Sequence, residues 1–459
     1  MKFKSLRAGF PLISSSAGAP VAHSVQAGAE PTPIVNWLCL VFAVALLVRL
    51  AVSAILYRSQ LDPGRDHWEF GWETGRIAHS IAIGRGFASP LYGTDAPTAW
   101  MAPLYPYLLA GVFQAFGSFT AVSAFVILGL NSLFSAATCW PVFHIAGRVF
   151  GTRTAIWAGW AWALYPFAIY FAAARVWETC LTTLLFSLVV WLTLLLADGA
   201  RIPVWLLYGG LWALASLTSP VTLSALPPLL AWIVYRTRKQ ATRTALLWRV
   251  SAASLVFLVL VSPWFVRNYR TFHQFIPFRD NLGLELWVGN NGDTSDVYID
   301  WAHPAHNPAE LQRFVEAGEI TYFQEKKKEA LGFVDQHPGM FLWITLRRFG
   351  FTWTGFWSLR HDYLANEPFE IPNVFFSTGL TLLMLIGIRR ARRDAWAESF
   401  PLIAGIVMIP MVYYFTHVDP NYRHPVDPEV LIFAIFGSRT SWLAWQRKPA
   451  EMGMATTRT

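Results

Sequence analysis

A few short stretches hold the residues able to do chemistry. The first reads Asp62-Pro-Gly-Arg65-Asp66-His-Trp-Glu69-Phe-Gly-Trp-Glu73-Thr-Gly-Arg76. In a helix starting near Asp66, the acids at 66, 69 and 73 stand at i, i+3 and i+7 and share one face. Carboxylates clustered beside an apolar interface raise one another's pKa, which favours a base that holds a proton near neutral pH. The same spacing also suits a solvated helix whose acids pair with Arg65 and Arg76. Glu178, in Arg175-Val-Trp-Glu178-Thr-Cys, lies between two apolar runs, where an acid is costly unless paired or functional. A salt bridge to Arg175 and a functional role are both open there. Arg267, in Pro263-Trp-Phe-Val-Arg267-Asn268-Tyr269, and Arg423, in Asp419-Pro-Asn-Tyr422-Arg423-His424-Pro425, read either as anchors at headgroup depth or, beside Tyr and Pro, as a clamp for phosphate. His303-Pro-Ala-His306 is weak as a metal pair, and no metal or other cofactor is called for.

Membrane helices must position these residues. The 459 residues are 54% hydrophobic and only 14% charged, with a mean hydropathy of +0.38, whereas an ordinary soluble domain is roughly 25% charged. This is an all-α polytopic membrane protein. Apolar runs at about 36–57, 119–143, 155–172, 176–197, 203–219, 220–235, 250–266, 372–388, 399–416 and 429–446 make about ten spans at about 20 residues each. The net charge of +8 suggests nucleic acid, but Lys and Arg gather at the ends of apolar runs, where they orient a membrane protein. No nucleic-acid partner is expected.

Placing the N-terminus in the cytoplasm puts Arg148, Arg153, Arg201, Arg236, Arg238, Arg243, Arg249, Arg389, Arg390 and Arg447 on the inside. The acid-rich segments 58–118, 173–175, 267–371 and 417–428 then lie outside, as the positive-inside rule requires. Two leftover apolar stretches, about 103–117 and 338–357, carry Tyr, Trp and Arg and read as interfacial helices. The resulting layout has a disordered cytoplasmic tail at 1–34, a transmembrane domain at 35–446 with extracytoplasmic loops 58–118 and 267–371, and a cytoplasmic tail at 447–459. Cys39, Cys139 and Cys180 lie in apolar runs, with no disulfide framework or zinc spacing. A multi-pass protein of the cytoplasmic (inner) membrane is expected, with its site facing outside. Nucleotide-activated substrates are unavailable there, so an activated donor would arrive attached to lipid phosphate.

At this point several motifs resemble a known family. They are Glu73-Thr-Gly-Arg76-Ile-Ala with Gly84-Arg85-Gly-Phe, Pro97-Thr-Ala with Pro103-Leu-Tyr-Pro106, Pro263-Trp-Phe-Val-Arg267-Asn268-Tyr269, Gly318-Glu-Ile-Thr-Tyr322 before His337-Pro, and Tyr422-Arg423-His-Pro. Over about 36–446 the chain resembles the bacterial branch of the protein O-mannosyltransferases and is similar in layout to the aminoarabinose transferases. The resemblance implies a GT-C glycosyltransferase fold with interfacial helices in the first external loop, and a polyprenyl-phosphate sugar as donor. It assigns the loop acids to Asp66, Glu69 and Glu73 and the second-hairpin acid to Glu178, as catalytic residues. The family shows an adjacent Asp-Glu pair, whereas here the acids are spread, so which is the base stays open. The aminoarabinose pattern has Lys before the loop Pro; this chain has Ala102 before Pro103, which moves a phosphate contact there to Arg85 or Arg267.

The mechanism expected is single displacement with inversion. A loop carboxylate takes the proton of an acceptor hydroxyl on protein, lipid or glycan; Arg267, Arg423, Tyr422 and Arg85 bind the lipid phosphate; membrane lipids surround the bundle. The alternative is a transporter or flippase of a lipid-linked or small solute, in which Glu178 and Arg267 line a charge pathway. A ligase joining a lipid-linked glycan to an acceptor shares the donor chemistry.

Overall fold

The computed structural model describes residues 34–65, 68–292, 294, 302–356 and 370–439. Asp66 and both tails lie outside the described residues.

The apolar runs become helices. Among the described residues six are long and apolar enough to cross a membrane: Trp37–Leu61, Ala121–Phe150, Thr179–Leu196, Arg243–Phe272, Ile371–Asp394 and Trp396–Phe415. Thr152–Ala163 and Pro166–Ala174 form a seventh, bent by 42°. The runs read at 203–219 and 220–235 are shorter pieces, Ile202–Thr218 and Leu226–Thr237, joined by a 3-10 turn Pro220–Ala225. Pro220 sets this break, because the residue before a proline is pushed out of helical geometry and Ser219 is extended, with φ −147° and ψ 103°. A last helix begins at 427 and is described to 439. The stretches read as interfacial form the helices Leu104–Phe116 and Pro338–Thr354.

The bend at Pro166 exposes how the bundle satisfies its backbone. Proline has no N–H, so the carbonyl of Trp162, four residues earlier, loses its helical donor. Arg49 of the first span supplies one instead. Its Nη2 donates to Trp162 O at 3.0 Å, Nη1 to Ala163 O at 2.9 Å and Nε to Ser135 Oγ at 2.8 Å. One fully buried guanidinium thus fastens three spans together. Arg49→Leu should strip both carbonyls of the guanidinium in a medium without water, leaving Trp162 O only the Tyr165 N–H at 3.3 Å, and cost roughly 2–4 kcal/mol. The expected result is a lowered thermal midpoint of the detergent-solubilised protein.

Elsewhere close approach is arranged by small residues. A Cβ on Gly209 would sit 2.1 Å from Ala253 O, so the backbones of Ile202–Thr218 and Arg243–Phe272 touch. Beyond one end of the bundle lies a smaller layer with its own core of Ile77, Phe87, Trp100, Leu284, Trp287 and Phe323. Its helices are Glu73–Ala82, Leu282–Gly289, Pro308–Ala317 and Glu319–Gln336. This layer is drawn from the 58–118 and 267–371 segments, and it roofs the candidate site.

Candidate active site

Among the described residues, the stretch from Trp68 to Ala82 is not one continuous helix. Glu69, Phe70, Gly71 and Trp72 all have positive φ, at 55°, 61°, 80° and 50°, and the helix proper starts at Glu73. The shared face expected for Glu69 and Glu73 is therefore absent. Left-handed backbone at non-glycine residues is costly and persists only where the surroundings enforce it. Here the buried Phe70 ring packs edge-on against Phe113 and Phe119, at 5.3 and 5.6 Å. Gly71 meets the hairpin of the next spans so closely that a Cβ would lie 2.3 Å from Val176 O. The consequence is a division of the acids. Glu69 turns to Arg76, with Nε–Oε2 at 2.5 Å, while Glu73 turns inward and is buried.

Glu73 lines a cavity of about 800 Å³ together with Glu178, Arg175, Arg279, Glu285, His303, His417 and Tyr422. It also borders a second cavity of about 360 Å³, shared with Trp72 and His306 and walled by Trp68, Arg76 and Tyr92. Burial raises the Glu73 carboxyl to about 7, a shift that Glu285 reinforces and that Arg76 and Arg279 oppose. Glu178 stands at the N-cap of Thr179–Leu196, and its Oε2 is buried without a hydrogen-bond partner. Burial raises this carboxyl too, against the pull of Arg279. Between the acids, Arg279 donates from Nε to Asn281 Oδ1 at 2.8 Å and approaches Glu285 Oε1 at 3.6 Å. Tyr422 stacks on Tyr413 at 4.0 Å, and its hydroxyl lies 2.7 Å from His417 Nε2.

Of the residues expected to act, the structure brings Glu73, Glu178 and Tyr422 to one cavity. Glu69 stays in its ion pair with Arg76. The remaining arginines are engaged elsewhere. Arg267 donates from Nη1 to Thr98 O and from Nη2 to Phe87 O, both at 2.7 Å, holding the loop that carries Trp100 and Met101 into the cavity wall. Glu319 grips the same loop, accepting from Thr98 Oγ1 at 2.5 Å and Ala99 N–H at 2.6 Å. Arg423 is buried, with Nε bonded to Asp427 Oδ1 at 2.9 Å, Nη1 to Thr352 O and Nη2 to Tyr165 Oη. Arg85 pairs with Asp95 at 2.8 Å in a largely exposed bridge. The residues that sequence reasoning missed are Arg279 and Glu285. They sit in Phe278-Arg279-Asp280-Asn281 and the helix after it, with no spacing that marks them. Among the described residues no group of three or more His, Cys, Asp or Glu is suited to a metal ion.

The described residues form an all-α bundle with several helices long and apolar enough to cross a membrane, and an acid-lined cavity at one end. Residues 97–266 match the family model described as dolichyl-phosphate-mannose-protein mannosyltransferase. The Archaeoglobus fulgidus oligosaccharyltransferase tethered to an acceptor peptide is similar in structure, with a TM-score of 0.53 at 14% identity over 88% of this chain and 49% of that one. AglB from the same organism, in complex with an inhibitory peptide and a dolichol-phosphate, gives 0.53 at 14% identity over 91% and 52%. ArnT from Cupriavidus metallidurans in the apo state gives 0.50 at 17% identity over 92% and 63%. The chain thus spans about half the length of the archaeal protein. No curated protein matches in sequence.

Proposed function

We propose that this chain is a membrane glycosyltransferase that moves a sugar from a polyprenyl-phosphate donor to an acceptor hydroxyl, with Glu73 as the base. The observation that carries the reading is the position of Glu73 on the border of two cavities, which lets a donor and an acceptor reach one carboxylate from different sides. The acceptor oxygen attacks the anomeric carbon as its proton passes to Glu73. The bond from that carbon to the phosphate oxygen breaks, with inversion. Phosphate is a weak base and leaves without a general acid, and its growing charge is met by Arg279, with Arg175 on the same wall. Glu178 holds a sugar hydroxyl and supports positive charge on the ring. The match to a mannosyltransferase family and the dolichol-phosphate bound by AglB support a lipid-linked donor.

The cavity is built from 72–101, 175–182, 219–224, 277–306 and 412–425. All are junctions that the charge distribution assigns to the outside, so the reaction is proposed on the extracytoplasmic face of the cytoplasmic membrane, with both termini inside. The test uses proteoliposomes and a panel of radiolabelled polyprenyl-phosphate hexoses and pentoses. Free polyprenyl phosphate and a labelled product are expected with one of them. Donor crossing the bilayer uncleaved would assign the chain to transport instead.

A further inference from the structure

We infer that His303 is the positioning residue for Glu73, presenting its Nε2–H to the carboxylate and holding it in the orientation from which it takes the acceptor's proton. The inference rests on the proposed role of Glu73 and extends it to a residue pair that no function has yet absorbed. His303 Nε2 lies 3.7 Å from Glu73 Oε1, the one approach of ion-pair range to Glu73 among the described residues. The tautomer is set from behind, where the Ala305 N–H donates to His303 Nδ1 at 3.1 Å. With Nδ1 accepting, the ring proton is on Nε2, facing Glu73. The ring plane is fixed by edge contact with Trp100 at 5.6 Å and by His306 at 6.1 Å.

Other charged and titratable groups face Glu73 from every side. They are Arg76 on its own helix, Arg279 and Glu285 from the neighbouring segment, His306 beside His303, Glu178, Arg175, His417 and Tyr422 around the larger cavity, and Arg65 across the smaller one. The nearest cations are committed, Arg76 to Glu69 and Arg279 to Asn281 and Glu285. Burial, with His306 and His417 nearby, lowers His303 to about 3. At working pH it is a neutral donor. A neutral donor that closes this 3.7 Å gap to hydrogen-bonding distance favours the ionised form of the acid it faces, so on this inference His303 opposes the rise that burial imposes.

The test is an infrared titration of the Glu73 carboxyl, identified as the band missing in Glu73→Gln, in wild type, His303→Leu and His303→Gln. His303→Leu fills the space without a donor and should move the midpoint up by about one pH unit, a tenfold change in ionisation. His303→Gln keeps an N–H and should restore the wild-type midpoint. The acid limb of the turnover profile should move with the titration, with the donor KM unchanged. An unmoved midpoint in His303→Leu overturns the inference, as does an equal shift in both variants. If His303→Leu fails to fold, His303→Ala takes its place and the same midpoint decides. Absence of turnover by wild type with every donor would defeat the transferase reading alone, because the titration decides the pairing without catalysis.

Discussion

Glu73→Gln is expected to lower sugar transfer by about 10²–10⁴-fold, the usual contribution of a positioned general base, with donor affinity changed little. Gln keeps the size and one carbonyl oxygen of the side chain but cannot accept the acceptor's proton. Glu69→Gln serves as the contrast. Its carboxylate is bonded to Arg76 and does not line the larger cavity, so transfer should fall less than about tenfold. The pH dependence follows in sign from the same carboxyl. The base acts when ionised and burial holds it at about 7, so the rate should climb as pH rises through that value and level off above it. Initial rates of polyprenyl phosphate release, measured across pH for wild type and both variants, check all three statements.

Arg279→Ala should cost about 10²–10³-fold in turnover, or about 3 kcal/mol, as for loss of one electrostatic contact to a developing oxyanion. Arg279 is the cation that acts on Glu73 and Glu178 alike, and the proposed reaction puts the departing phosphate near both acids. Lys in its place keeps the charge without the planar fork and should recover only part of the rate. Arg267→Ala should behave differently. It removes the donors to Thr98 O and Phe87 O, so its main effect is a fall in thermal stability of roughly 1–3 kcal/mol. Comparing turnover per folded molecule for the two variants separates a phosphate ligand from a loop fastener.

The architecture was largely legible because its causes are local. Apolar runs, the Ser219-Pro220 break and the Tyr, Trp and Arg of the interfacial stretches each announce an element within a few residues. Glu178 was visible for the same reason, an acid with apolar sequence on both sides. The arrangement of the first loop was not legible. The helical spacing of Asp66, Glu69 and Glu73 is in the sequence, but the burial of Phe70 and the approach of Gly71 to Val176 go with left-handed backbone from Glu69 to Trp72, and these are long-range causes. The arginines show the same limit. An Arg closing a helix reads identically whether it faces a cavity or is held by its own fold; Arg267 caps two carbonyls and Arg423 is held by Asp427, Thr352 O and Tyr165, while Arg279, unmarked in sequence, lines the cavity.

The proposed reaction places the donor's phosphate and sugar in the cavity between Glu73, Glu178 and Arg279. A polyprenyl-phosphate sugar with a photoreactive group beside the phosphate, irradiated with the protein in lipid and mapped by mass spectrometry, tests it most directly. Adducts in 277–285 and 412–422, competed away by unlabelled donor, are expected. Competable adducts confined to the Arg85–Asp95 surface or to the Arg-rich end near Arg236 and Arg389 would contradict it.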